Sequence, residues 1–364
     1  MTESELKELP NRFKIKGTVK EVRPIGEGHI NHTYLVSTDE RDYILQSINN
    51  TVFKNTKALM DNVVAVTEFL SKVIKWNGGD PDRETLTVIP TKDDKPYLTV
   101  EDGTPYRMYY NITDSYTLQT VEKPEDFTSS AVAFGTFQKR LSKFDASQLT
   151  ETIPAFHNTK VRYFNLMRAM RENRSGRLEN VAKECEFALS RISQAGIIVD
   201  AIESGEIPLR VCHNDTKLNN VLMDKQTGKA ICVIDLDTVM PGSMLYDFGD
   251  AIRFGASTAA EDEKDLSKVD FDLNLFEAYV KGYAEALNGD ITKREAELLP
   301  LSAWMMTMEC GVRFLTDYID GDVYFGTSYP EHNLDRCRTQ FKLASDMEKT
   351  RGAQAAIVEK YVKF

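Results

Sequence analysis

His213-Asn214-Asp215-Thr216-Lys217-Leu218-Asn219-Asn220 has the form H-x-D-x-x-x-x-N, and Ile234-Asp235-Leu236-Asp237 follows it after a short hairpin. Moving a phosphoryl group off ATP requires an acceptor for the hydroxyl proton and oxygen ligands that hold Mg²⁺ against the phosphates. The stretch carries such a set. Asp215 is the expected catalytic base, and Asn220 and Asp235 are the expected Mg²⁺ ligands, because hard cations prefer carboxylate and amide oxygens. Alone, the motif says little: His-Asn-Asp also makes a turn, and a strand-end Asp also makes a cap. The flanking strands, the hairpin and an Asp 20 residues past Asp215 all agree with phosphoryl transfer. Asp237 is divided between a further metal or substrate contact and a strand-end turn residue. His213 is expected to pack under the loop and hydrogen-bond its backbone.

Asp247-Phe248-Gly249 spells the metal-binding D-F-G of protein kinases, yet it lies 32 residues past Asp215. By then the chain has left the hairpin and is entering a helical stretch. Asp247 therefore reads as a structural carboxylate that fixes the catalytic loop through its backbone. Asp235 is the better metal ligand.

Working outward, the motif rides on strands at 209–212, 220–223 and 230–234, with Gln226-Thr227-Gly228 turning the second into the third. Residues before about 110 read as strands around one helix. In that helix Leu59, Met60, Val63, Val66, Leu70 and Val73 recur at spacings of three and four. Asp102-Gly103 between 97–100 and 105–110 signals a hairpin. Beyond about 125 the chain turns helical, with Phe134, Phe137, Leu141 and Phe144 on one expected face and Trp304, Met308, Val312, Leu315 and Ile319 on another. Ala260 to Asp265 is a solvated loop or a helix start. The expected fold is α+β and bilobal: an antiparallel-sheet N-lobe over 1–110 that covers the nucleotide, and a larger, mainly helical C-lobe over 111–364 with the catalytic loop and acceptor site. Nucleotide is expected in the cleft between lobes, a common place for small-molecule sites.

Composition limits the partners. The 45 Lys and Arg against 56 Asp and Glu leave a net charge of −11, which argues against a nucleic-acid backbone binder. Cys185, Cys212, Cys232, Cys310 and Cys337 are odd in number and widely spaced, so they indicate buried free thiols in a reducing compartment. The N-terminal residues lack a signal peptide's apolar core, and no apolar run approaches the ~18 residues of a membrane span. A cytoplasmic enzyme is expected, with no membrane partner.

Three further places bear on chemistry. Gly26-Glu27-Gly28-His29-Ile30-Asn31 lies between two strands, where a bare backbone can approach phosphates, although two glycines in a turn also make only a turn. His29 and His32 are candidates for contact with phosphate or acceptor; as a metal pair their spacing is weak. Glu309 and Arg313 sit four apart on a helix, which reads either as a surface ion pair or as a face that hydrogen-bonds a polyhydroxylated acceptor. Thr216, next to the base, is assigned to the same acceptor.

Together these motifs resemble the aminoglycoside phosphotransferase and choline kinase superfamily, the small-molecule relatives of protein kinases. Within it the match narrows to the N-acetylhexosamine 1-kinases. The segments that carry this are 26–34, Tyr43-Ile44-Leu45-Gln46, 141–150, 213–220, 234–243 and Met308-Glu309-Cys310-Gly311-Val312-Arg313-Phe314-Leu315. The resemblance implies MgATP-dependent phosphorylation of the anomeric hydroxyl of N-acetylglucosamine and N-acetylgalactosamine. It implies Asp215 as base, Asn220 and Asp235 as metal ligands, and Tyr109, Tyr110 and Ile112 in the hinge near adenine. Arg313 is implied in the sugar pocket, with Phe156-His157-Asn158-Thr159 adding to it. One departure stands out. The wider superfamily carries a phosphate-binding Lys on the third strand, where this chain has Gln46. Kinases for homoserine, choline or aminoglycosides share the motif up to Asp235, and Gln46 motivates a second class, a nucleotide-binding module without turnover.

Overall fold

Antiparallel pairing and helix packing organise the chain as the alternations above require. The structure, a computed structural model, describes residues 2–26, 31–121 and 123–364. Its strands are β1 Val19–Pro24, β2 Thr33–Thr38, β3 Tyr43–Ser47, β4 Leu98–Thr99, β5 Pro105–Tyr110, β6 Ser115–Thr117, β7 Arg210–Cys212, β8 Val221–Asp224, β9 Ala230–Val233 and β10 Met240–Gly242. The helices used below are α1 Thr56–Trp76, α2 Pro124–Arg140, α3 Thr159–Glu172, α4 Met244–Gly255, α5 Leu273–Leu287, α6 Lys293–Asp320 and α7 His332–Lys349.

The chain forms two compact units. The first comprises residues 1–117, 143–153 and 220–241. Its main sheet has the order β1-β2-β3-β5-β4, all antiparallel. Side chains alternate across a strand, so Leu45 and Met108 enter an apolar core with Phe13, Val36 and Tyr43. Gln46 and Arg107 are directly opposite each other in the β3–β5 register and face the other side, where the Arg107 guanidinium approaches the Met60 sulfur of α1 at 3.9 Å. The buried stripe of α1 contains Leu59, Met60, Val63, Val66 and Leu70 as expected, but ends on Ile74 where Val73 was expected, Val73 being half-buried. Asn55 caps the helix by accepting from the Ala58 N–H.

Two later segments join this unit. Phe144 packs edge-on to Phe69 with ring centroids 5.3 Å apart. The Asn62 amide donates to the Thr150 and Val239 carbonyls and accepts from the Thr150 N–H. The third segment forms a sheet of order β6-β8-β9. Phe144 is thus not on the helix face with Phe134 and Phe137, because α2 ends at Arg140. The strand β6 was not anticipated: Ser115-Tyr116-Thr117 is too short to show an alternation. The expected single cut near residue 110 meets a chain that passes between the units several times.

The second unit comprises residues 118–142, 154–219 and 242–364 and is mainly helical. Its helices approach closely at glycines. A Cβ on Gly249 of α4 would lie 2.4 Å from the Ser302 carbonyl oxygen and 2.6 Å from Met306 Cγ on α6. Gly249→Ala is therefore expected to force α4 and α6 apart and cost about 1–3 kcal/mol, the usual range for overpacking. Urea unfolding checks it; a midpoint unchanged from wild type would mean the helices have slack. Trp304, Met308, Val312, Leu315 and Ile319 are buried on α6 as the periodicity predicts. Residues 260–265 form a loop, and among the described residues no helix is long and apolar enough to cross a membrane. Four of the five cysteines are buried, and Cys310 is half-buried.

Candidate active site

In the second unit, β7 leads into the loop that carries Asp215. Asp247, in the first turn of α4, is 1% exposed and organises that loop. One of its oxygens accepts from the Asn214 N–H at 2.8 Å; the other accepts from the His213 N–H at 2.9 Å and the Gln138 amide at 2.8 Å. Gln138 also donates to the Val211 carbonyl. Burial pushes the Asp247 carboxyl above its ordinary range, while His213 and these donors pull it back. Asn214 has φ +65°, a left-handed conformation that Asn tolerates better than most side chains. This is the structural carboxylate expected from its displacement in sequence. His213 is fully buried against Phe134 and Phe137, and its Nδ1 accepts from the Asp215 N–H at 3.3 Å. Its expected place under the loop is observed.

Asp215 keeps 28% of its side chain exposed and pairs with Lys217 Nζ at 2.9 Å. Burial pulls the Lys217 ammonium down, and Asp215 more than offsets it, so that lysine stays charged. Lys217 lies inside the 213–220 motif, but nothing in the spacing singles it out. Thr216, expected at the acceptor, lies beneath the loop: it is 2% exposed and its hydroxyl donates to the Asp247 carbonyl at 2.7 Å.

Glu309 and Arg313 do not form the surface ion pair their spacing allows. Glu309 is buried; it meets His157 Nδ1 at 2.9 Å and accepts from the Thr159 hydroxyl at 2.8 Å. Burial raises its carboxyl, but His157, Arg162 and Arg313 outweigh that and hold it below its ordinary range. Arg313 is half-buried among rings, its guanidinium carbon 5.7 Å from the Phe156 centroid, 5.8 Å from Tyr324 and 5.3 Å from Phe325. Tyr324 and Phe325 are presented by a loop whose Val323, Tyr324 and Phe325 N–H groups all donate to Asp317. A recess of about 370 Å³ lined by Ser190, Arg191, Gln194, Glu348 and Arg351 contains none of the expected residues.

In the first unit, the β8–β9 register pairs Val221 with Val233, so Asn220 and Ile234 come together at one end of the hairpin. The Ile234 N–H donates to the Asn220 carbonyl at 2.9 Å. Asp235 follows at once, exposed and left-handed with φ 59° and ψ 62°. An amide and a carboxylate at one hairpin end are the hard oxygen donors that suit Mg²⁺, which keeps waters and phosphate oxygens for the rest of its octahedron. Asp237 is different: 3% exposed, it pairs with the Arg107 guanidinium and accepts from the Asn31 amide at 2.6 Å. Arg107 was not anticipated at all, since a lone Arg in a strand carries no partner's address.

Gly26 has φ +70° and open space around its Cα. Gly28 and His29 lie outside the described residues. His32 is exposed, and its N–H donates to the Ser47 hydroxyl. Tyr109 and Ile112 are buried and Tyr110 half-buried, with Arg41 stacked 3.6 Å over the Tyr110 ring.

The family model described as the phosphotransferase enzyme family matches residues 21–290. Among solved structures, choline kinase from Cryptosporidium parvum is 14% identical, with 99% of each chain covered and a TM-score of 0.60. An aminoglycoside phosphotransferase from Alicyclobacillus acidocaldarius is 12% identical, covering 99% of this chain and 96% of its own, again with a TM-score of 0.60. A microcompartment-associated aminopropanol kinase is 15% identical, covering 97% and 99%, with a TM-score of 0.57. These likenesses establish the α+β fold, a sheet-bearing N-terminal region and a larger helical C-terminal region of the protein-kinase-like kind. With the family model spanning most of its length, the chain belongs to the phosphotransferase enzyme family.

Proposed function

We propose that this phosphotransferase moves the γ-phosphoryl group of MgATP to the anomeric hydroxyl of an N-acetylhexosamine in the cytosol. The observation that carries the acceptor class is Arg313, set among Phe156, Tyr324 and Phe325; nearby Arg162 is pulled down first by burial and then by the Arg313 charge. Aromatic faces and a guanidinium suit a neutral, polyhydroxylated ring with an acetamido group. The rings alone would also accept a cation, so it is the guanidinium charge that disfavours a cationic acceptor such as choline, an aminopropanol or an aminoglycoside.

In this reading Asp215 orients the acceptor hydroxyl and takes its proton, and Lys217 beside it supplies local positive charge for the transferring group. Asn220 and Asp235 would hold Mg²⁺, which neutralises charge on the β- and γ-phosphates when bound. Glu309, fixed by His157 and Thr159, would stand behind the sugar contact made by Arg313. Gly26, Gly28 and His29 would cover the phosphates, His32 would reach phosphate or acceptor, and Tyr109, Tyr110 and Ile112 would lie near adenine. Residues 1–110 would form the nucleotide-covering lobe and 111–364 the catalytic one. An inactive nucleotide module is disfavoured, because Asp215, Asn220 and Asp235 are all present.

Phosphorus NMR after incubation with MgATP and N-acetylglucosamine or N-acetylgalactosamine tests this. The expected result is an anomeric sugar 1-phosphate signal that disappears without Mg²⁺. ATP left intact with both sugars would remove the acceptor assignment.

A further inference from the structure

An arginine buried in a sheet needs a reason, since an unpaired charge there is costly. Arg107 is 1% exposed. Its Nε and Nη2 both donate to the Gln46 side-chain oxygen, at 3.0 and 2.7 Å. The Gln46 amide donates onward to the Thr33 hydroxyl at 3.0 Å. The remaining arm pairs with Asp237, which also accepts from the Asn31 amide, and the Asn31 oxygen accepts from the Asn49 N–H. Burial pulls the guanidinium down, but Asp237, helped by Asp235, more than offsets this and keeps it charged.

The neutral residue at the third-strand position thus has a task of its own: its oxygen takes two N–H groups of an arginine one strand away. All of these groups lie in the first unit, and they converge on the loop that carries Asp235. That loop is pinned on both sides of Asp235, by the Ile234 N–H on the Asn220 carbonyl before it and by Asp237 after it. Asp235 itself sits in a left-handed conformation, which costs a non-glycine residue about 1–3 kcal/mol and persists only where the surroundings impose it.

We propose that Arg107, Gln46, Asp237 and Asn31 form a positioning clamp that sets the direction of the Asp235 carboxylate toward Mg²⁺. This rests on the metal-ligand reading of Asp235 given above. In this arrangement Arg107 and Asp237 act through Asp235. Asp237, expected as a possible metal ligand, becomes the anchor two residues behind one. Loss of such outer partners typically weakens metal affinity 10–100-fold.

The decisive variant is Arg107→Met combined with Asp237→Leu, which removes both charges at once and so avoids stranding either. Replacing a buried ion pair by apolar side chains of similar volume is often neutral for stability, so the melting temperature is expected to stay near that of wild type. Mg²⁺ is titrated by calorimetry into protein holding a fixed, non-hydrolysable ATP analogue. The expected result is Mg²⁺ affinity weakened about 10–100-fold, with analogue affinity in EDTA unchanged. A folded double variant with wild-type Mg²⁺ affinity would overturn the proposal and reduce the pair to a structural one. Should the double variant fail to fold, Asn31→Ala decides: it removes one hydrogen bond at the clamp's edge, and unchanged Mg²⁺ affinity there overturns the proposal equally. If wild type binds the analogue with no dependence on Mg²⁺, the metal assignment of Asp235 falls, and that result is distinct from either.

Discussion

Asp215→Asn is expected to lower turnover by about 10²–10⁴-fold, the usual contribution of a positioned general base, while the fold and nucleotide affinity persist. The substitution keeps size and shape and removes only the ability to take a proton. Its structural cost is small, because the Asp215 pair with Lys217 is partly exposed and such pairs contribute about 0–1 kcal/mol. The loop's conformation has a support apart from the Asp215 carboxylate. It is held from below by Asp247 on the His213 and Asn214 N–H groups. Turnover measured by ADP release, beside nucleotide binding and far-UV circular dichroism, separates the two effects. Near-normal turnover in a folded variant would remove Asp215 from the base role.

The largest expected loss of stability comes from Asp247→Ala. Two backbone N–H groups and the Gln138 amide would lose their acceptor inside a site closed to water. Each buried donor left unsatisfied costs about 1–3 kcal/mol, and neighbours do not add fully, so a loss on the order of 3–5 kcal/mol is expected. Asp247→Asn should not rescue it. Both carboxylate oxygens accept, so the new amide nitrogen must face a donor whichever way it turns. Urea denaturation of both variants checks this; a loss below about 1 kcal/mol in either would mean the loop holds itself. Turnover should fall in parallel, since Asn214 would be released from its left-handed conformation next to Asp215.

The parts of the site that could be read from sequence are those whose chemistry is local. Asp215, Asn220 and Asp235 were singled out by motif spacing, and the strand–turn–strand expected between the last two is observed at 221–233. Asp247 was legible for the opposite reason, its distance along the chain from the hairpin. Residues whose partners are remote in sequence stayed hidden. Arg107 finds Gln46 only through the β3–β5 register and Asp237 only through the folded first unit. The helical spacing of Glu309 and Arg313 is real, but spacing cannot say which side of a helix is buried. Its carboxylate turned inward because His157 and Thr159 arrive from another segment. Thr216 illustrates the same limit, since its neighbour Asp215 is partly exposed while it is not.

The composition of the first unit has a consequence for biosynthesis. Its residues arrive in three instalments, and the last, residues 220–241, brings Asp237 to Arg107 and β8 to β6. When residue 117 leaves the ribosome, the five-stranded sheet can pair, but its buried cation still lacks a counter-charge. At ~5–20 residues per second, roughly 6–25 s pass before residue 241 is made. During that interval the nascent sheet holds an uncompensated guanidinium at its centre. The first unit therefore cannot reach its final state as an isolated N-terminal fragment, and its completion waits on the segment that also carries Asp235.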